Sequence, residues 1–179
     1  MKLRILKEEA IDGALNKKIL GCLQKAFPDG VLNFKESRYW HGSVPAWTVL
    51  LEEENSIIAH VGIVERSIKA GTDTIRIAGL QNVCVAPEHR GKNLSNMVVK
   101  ASMDEAMRLN IDFGLLFCIK QIEKIYACGG WKTLHERTVV RVEADGREIS
   151  IPEKNIVMYY PLVKKNFPEG NIHLQGNDW

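Results

Sequence analysis

The sequence predicts a mixed α/β (α+β) fold, with a mostly antiparallel central sheet and helices on both faces. Three observations predict it. Strand-like runs at residues 46–51, 57–68 and 74–85 follow one another across short polar turns. A helical stripe of Leu94, Met97, Val98, Ala101 and Met107 follows directly. A continuous apolar run at 113–119 then leads into a second short helix, the order expected when helices pack on a sheet.

Taken in order, residues 3–6 make a short first strand, and residues 11–27 carry Ile11, Leu15, Ile19 and Leu23 at helical spacing behind Asp12. Pro28, Asp29 and Gly30 end that helix. Residues 31–45 are rich in aromatic and polar groups without a firm period, so they form either a second short helix or a loop on the substrate side. The polar tip 52–56 closes one hairpin and the Gly71-Thr72-Asp73 turn a second. Gly79 within the fourth strand marks a bulge or a close approach. The helix at 121–128 stops at Gly129-Gly130, and residues 131–142 and 156–162 supply two more strands.

At 179 residues the chain is expected to be one domain, 1–179, with 163–179 as a C-terminal extension. Its 24 Lys and Arg against 22 Asp and Glu leave no field strong enough to recruit nucleic acid. Cys22, Cys84, Cys118 and Cys128 show no CxxC spacing, and three lie in apolar surroundings, which suits reduced thiols in a cytoplasmic protein and argues against a metal site. Apolar neighbours around Cys84 and Cys128 favour inert thiols over nucleophiles. No apolar run approaches the ~20 residues that span a bilayer, so no membrane role is expected.

Chemistry concentrates in Val83-Cys84-Val85-Ala86-Pro87-Glu88-His89-Arg90-Gly91-Lys92-Asn93-Leu94-Ser95. A strand that feeds a basic, glycine-containing loop and then a helix aims unpaired backbone N–H groups at one point, which suits an anion. Arg90 and Lys92 add charge, Gly91 permits close approach, and Ser95 offers a hydroxyl. The same RGK order also occurs in ordinary surface turns. GxxxxGK[ST] and GxGxxG are absent, which argues against a Walker or dinucleotide site.

Val85 to Gly91 resembles motif A of the GCN5-related N-acetyltransferase (GNAT) superfamily, and Ile122-Glu123-Lys124-Ile125-Tyr126-Ala127-Cys128-Gly129-Gly130-Trp131 resembles its motif B. Asn93 and Ser95 stand where the superfamily prefers glycine, and glycine or alanine. The resemblance implies a sheet of six to seven strands splayed between the fourth and fifth, and acetyl-CoA as co-substrate without a metal. It places Val83, Cys84 and Val85 beside the coenzyme's thioester arm, and Arg90, Gly91, Lys92, Asn93, Leu94 and Ser95 around its pyrophosphate. Tyr126 is then the general acid for the departing thiolate; otherwise it is a core tyrosine on the sheet.

Residues 57–60, 80–85 and 176–179 resemble the aminoglycoside 2′-N-acetyltransferases and, more distantly, the nodulation N-acyltransferases. This implies a small-molecule amine acceptor, such as an amino sugar, met by Gln81, Asp178 and Trp179. Glutamine at 81 cannot take the ammonium proton, which leaves His60, Glu65 and Asp178 as candidate bases. His60 also reads as a structural histidine, Trp179 as an anchor for a frayed end, and Trp40, His41 and Trp47 as cleft or core-edge residues. A coenzyme A-binding sensor without catalysis and a transferase of longer acyl chains are the alternatives. Oligomeric state is open, a homodimer being the form considered.

Overall fold

A computed structural model describes residues 1–28, 34–35, 37–39, 42–152 and 155–179. Trp40 and His41 lie outside the described residues. The described chain gathers into two compact units, Met1–Val64 with Gln81–Ser102, and Glu65–Leu80 with Met103–Trp179.

In the first unit, β1 (Lys2–Lys7) pairs antiparallel with β2 (Trp47–Glu53), from Lys2 opposite Glu52 to Lys7 opposite Trp47. β2 pairs in turn with the first part of β3 (Ser56–Ala70). Their two-residue turn places Glu54 at φ 48° and Asn55 at φ 65°, the left-handed pair that matches the twist of a tight hairpin. α1 (Gly13–Ala26) begins where Asp12 accepts a hydrogen bond from the Leu15 amide at 2.8 Å, satisfying one of the helix's free donors. Its buried face carries Leu15, Ile19, Cys22, Leu23 and Ala26, which join Phe34, Leu50 and Ile57 in one apolar cluster. Ile19 and Leu23 are fully buried, each contributing about 1.5–3 kcal/mol. Trp47 is buried as well, a core residue.

β4 (Asp73–Val85) and α2 (Leu94–Arg108), like β3, pass from one unit into the other. The second unit adds β5 (Phe113–Ile119), α3 (Glu123–Cys128), β6 (Lys132–Leu134), β7 (Val139–Val142), β8 (Glu148–Ser150), β9 (Asn155–Pro161) and β10 (Ile172–His173). Its strands run in the order β6-β9-β5-β4-β3-β10-β7-β8. β5 pairs with β9 antiparallel along its whole length, whereas β4 and β5 pair in parallel over Ile77–Gly79 and Phe113–Leu115 alone.

The mixed, mostly antiparallel architecture is the one expected. Its strand count is not: ten strands stand among the described residues in place of six or seven. The run at 131–142 is two strands, because the chain turns between them at Glu136, φ 54°. β8 and β10 span three and two residues, too short for any periodicity to register.

Candidate active site

Past Val85 the chain is tied back by the Ala86 amide, which donates to the Ile58 carbonyl at 2.9 Å. Pro87–His89 then form one 3-10 turn, closed by His89 N–H to Ala86 O at 2.8 Å. Gly91 follows at φ 77° and Asn93 at φ 60°, so two left-handed residues flank Lys92. Such alternation turns successive backbone N–H groups toward one side, a concavity suited to anions. Among the described residues no backbone partner is seen for the N–H groups of residues 93–96, and α2 has no acidic residue in its first turn.

The motif's departure at Asn93 is explained here. Asparagine holds the left-handed conformation that glycine would supply, and its Oδ1 accepts from Asn96 Nδ2 at 2.5 Å. A Cβ added at Gly91 would meet no atom within 4 Å, so nothing in the fold crowds the position and its φ alone calls for glycine. Arg90 has a more specific role than added charge. Its guanidinium donates to the Ala26 carbonyl at 3.0 Å and the Val85 carbonyl at 3.4 Å, clamping the loop onto the end of α1. Lys92 is exposed, Leu94 buried and Ser95 half-buried.

Val83 and Val85 are half-buried, with Cys84 buried between them and its sulfur 3.8 Å from Cys22 Sγ. The hydrogen bond to Cys22 and then burial push the Cys84 thiol well above the usual range, so it is no nucleophile. Cys128 departs from expectation, since it is exposed at the end of α3.

β4 is irregular at Asn82, φ 54°, three residues beyond Gly79, the residue expected to mark a bulge or a close approach. A buried polar network surrounds the irregularity. His60 Nδ1 lies 3.0 Å from the Asn82 carbonyl, and Asn82 Nδ2 donates to Arg38 O at 2.8 Å and Gln81 Oε1 at 3.2 Å. Gln81 Nε2 donates to Ser43 O at 2.7 Å. Arg38 bonds Asn16 Oδ1 at 2.7 Å and pairs with Glu8. Burial lowers the His60 pKa to about 4, so the ring is neutral and donates from Nδ1 to the carbonyl. Two expectations change. Gln81, expected to meet the acceptor, is only 2% exposed, and its side-chain amide donates to the chain itself at Ser43 O. His60 is too weakly basic at neutral pH to serve as base, so it buttresses the bend in β4.

In the second unit, the α3 carbonyl at Tyr126 accepts from Gly129 N–H at 2.8 Å and Trp131 N–H at 3.3 Å. The Tyr126 ring meets Trp131 edge-on at 6.1 Å between centroids, and Trp131 lies 5.5 Å from Tyr160. Burial, with Cys118 adding to it, pushes the Tyr126 phenol up to about 12, so it keeps its proton at neutral pH.

The last residues are bound into the same unit. Gly176 O accepts from Val142 N–H at 2.9 Å, and Arg141 Nη1 donates to Asp178 Oδ1 at 2.7 Å. Arg66 Nη1 donates to Asn177 O at 2.6 Å, and its guanidinium lies 5.5 Å from the Trp179 ring centroid. Trp179 itself is 8% exposed and packs 5.5 Å from Phe117. Gly79 is glycine for this reason, because a Cβ there would stand 2.2 Å from Trp179 Cε2. Trp179 is thus neither frayed nor open to a ligand on all sides, and Asp178 already neutralises an arginine. Glu65 pairs with Arg76 at 2.5 Å. The two arginines that organise the tail, Arg66 and Arg141, went unnoticed in the sequence. Each meets its partner across dozens of residues, and no local spacing signals that.

A family model described as Nodulation protein A (NodA) matches residues 4–177. The chain belongs to the NodA family. A Nodulation protein A from Sinorhizobium terangae is 29% identical over 90 residues. That match covers 49% of this chain and 45% of the relative, so it spans less than half the relative's length. Among solved structures, Escherichia coli ElaA aligns over 89% of this NodA-family chain and 98% of its own, at 13% identity and TM-score 0.64. A GCN5-related N-acetyltransferase from Anabaena variabilis aligns over 74% of this chain and 32% of its own, at 17% identity and TM-score 0.59. These likenesses show the fold expected from motifs A and B. The family shown is the one that stood as the more distant resemblance. Among the described residues, no helix is long and apolar enough to cross a membrane.

Proposed function

We propose that this NodA-family chain is an acyl-CoA-dependent N-acyltransferase that moves an acyl group to the amine of a small acceptor by direct transfer. The observation that carries the reading is the loop itself: Gly91 and Asn93 are both left-handed, and the N–H groups of 93–96, at the start of α2, meet no backbone partner among the described residues. The backbone there holds the coenzyme's pyrophosphate, with Lys92 adding charge and Arg90 keeping the loop on α1. Backbone N–H groups near Val83 or Val85 polarise the thioester carbonyl. The neutral amine forms the N–C bond as the C–S bond breaks, Tyr126 gives its proton to the leaving sulfur, and the amine's own proton passes to solvent. With its pKa pushed up to about 12, the phenol holds at neutral pH the proton it is to donate.

Acetyl-CoA is the donor expected from the sequence, and membership in the NodA family favours a longer acyl chain. An amino sugar is the acceptor that the aminoglycoside-enzyme resemblance favours. A thiol-release assay over a panel of amines, run with acetyl-CoA and longer acyl-CoAs in competition, separates these donors. Release only in the presence of amine is expected. Coenzyme binding without release under any pairing would leave a sensor instead. Tyr126→Phe is expected to lower turnover by about 100-fold or more while leaving acyl-CoA affinity within twofold; unchanged turnover would remove Tyr126 from the mechanism.

A further inference from the structure

The sulfurs of Cys22 and Cys84 stand 3.8 Å apart in the first unit, one on the buried face of α1 and the other in β4, and no step of the transfer uses either thiol. A disulfide holds its sulfurs about 2.05 Å apart, so the pair closes by roughly 2 Å or less to form one. The two thiols are not alike. The hydrogen bond from Cys84 holds the Cys22 thiol below its usual range, against burial and the Glu88 carboxylate and with help from Lys25. The same bond pushes Cys84 up, which makes the Cys84 S–H the donor and the Cys22 sulfur the acceptor. Cys22 therefore carries the greater thiolate character, and the thiolate is the form that oxidants meet.

Access favours the same sulfur. A cavity of about 310 Å³ opens among α1, the turn between β2 and β3, and the 3-10 turn after β4, and of the two cysteines it is Cys22 that lines it. Gly21 lines it too, and a Cβ added there would meet no atom within 4 Å. Glycine weakens a helix interior, and no tight contact calls for it here, so its effect is to leave open space in the wall next to Cys22. Hydrogen peroxide, little larger than water, fits such a space.

We propose that Cys22 and Cys84 are a peroxide-oxidised dithiol whose disulfide ties α1 to β4 beneath the Arg90 clamp and shifts the loop at Gly91. The Cys22 sulfur attacks one oxygen of the peroxide and the O–O bond breaks. That sulfur is oxidised to a sulfenic acid, and the other oxygen leaves as water with the thiol proton. The Cys84 sulfur then attacks the Cys22 sulfur, the S–O bond breaks, and the Cys84 proton leaves with that oxygen as a second water. Cys84 keeps its proton until this step, so it stays inert toward outside reagents and meets only the neighbour it already faces. The route to the loop is short. Ala26, whose carbonyl accepts from Arg90, lies one turn beyond Cys22 on α1, and Val85, whose carbonyl also accepts from Arg90, directly follows Cys84. A bond between residues 22 and 84 therefore pulls on both ends of that clamp. Its effect on acyl-CoA rests on the transferase reading; the disulfide and its pull on the loop do not.

The reduced full chain, treated with hydrogen peroxide, is followed by non-reducing peptide mass mapping and by amide chemical shifts. A peptide pair joined through Cys22 and Cys84 is expected, lighter than its parts by the two hydrogens lost and separated by dithiothreitol, together with displaced amides for Arg90, Gly91 and Asn93. In Cys22→Ser the same treatment is expected to leave those amides in place. Oxidation at the exposed Cys128 with Cys22 still a thiol, or a Cys22 sulfinate without a crosslink, would overturn the pair. A crosslink with the loop amides unmoved, or moved equally in Cys22→Ser, would overturn its link to the loop. Mapping of the unmodified chain decides the first point even if the variant folds poorly. Acyl-CoA titrated into both forms separates the two readings, with binding about fivefold or more weaker to the oxidised form expected. Equal binding to both would contradict control of the coenzyme, and no binding to either would sink the transferase while the dithiol stands.

Discussion

His60 shows how burial overrides a residue's usual chemistry. On an alternating strand a histidine is more often packing than a base, and here Asn82, twenty-two positions away, decides it, its carbonyl taking the Nδ1 proton. Full burial then lowers its pKa from 6.5 to about 4. The unfolded chain accepts a proton on this ring near pH 6.5, and the folded chain resists until about pH 4. Stability present at neutral pH is therefore lost as the pH falls through that window, by on the order of 3 kcal/mol. Urea unfolding at pH 7 and pH 4.5 should show a larger acid loss in the unmodified chain than in His60→Gln, which keeps a donor for the Asn82 carbonyl. Parallel losses would mean that His60 is not the buried neutral group described here. Nothing local to residue 60 announces any of this.

At the scale of elements, the strand, loop and helix from Val83 to Ser95 were the most legible part of the chain. Their conformations follow from short-range chemistry: proline opens the 3-10 turn, glycine and asparagine take left-handed φ, and an apolar stripe starts α2. Asn93→Gly is expected to leave acyl-CoA affinity within twofold, because glycine adopts φ 60° without cost. Asn93→Val should weaken it about tenfold or more, a β-branched side chain being strained there. Calorimetric titration compares the three chains, and equal affinities would show that the loop's φ angles do not matter to the ligand. Legibility failed where elements are shorter than a period or are held by distant partners. β8 and β10 fall in the first class. The tail falls in the second: Trp179 and a close approach at Gly79 are legible, but not that the two meet, nor that the ring lies against Arg66.

For the whole molecule, motif order was more informative than any single residue. A basic loop after the fourth strand and a Tyr126 to Trp131 stretch after the fifth pointed to the fold that ElaA shares. The central claim is that the loop at Gly91 holds an acyl-CoA. Calorimetric titration of acyl-CoA into the unmodified chain and into Gly91→Val tests it most directly. The account predicts one-to-one binding that weakens at least tenfold in Gly91→Val, whose side chain would strain φ 77° and fill the space above the loop. Binding of equal strength in both chains, or none in either, would contradict it.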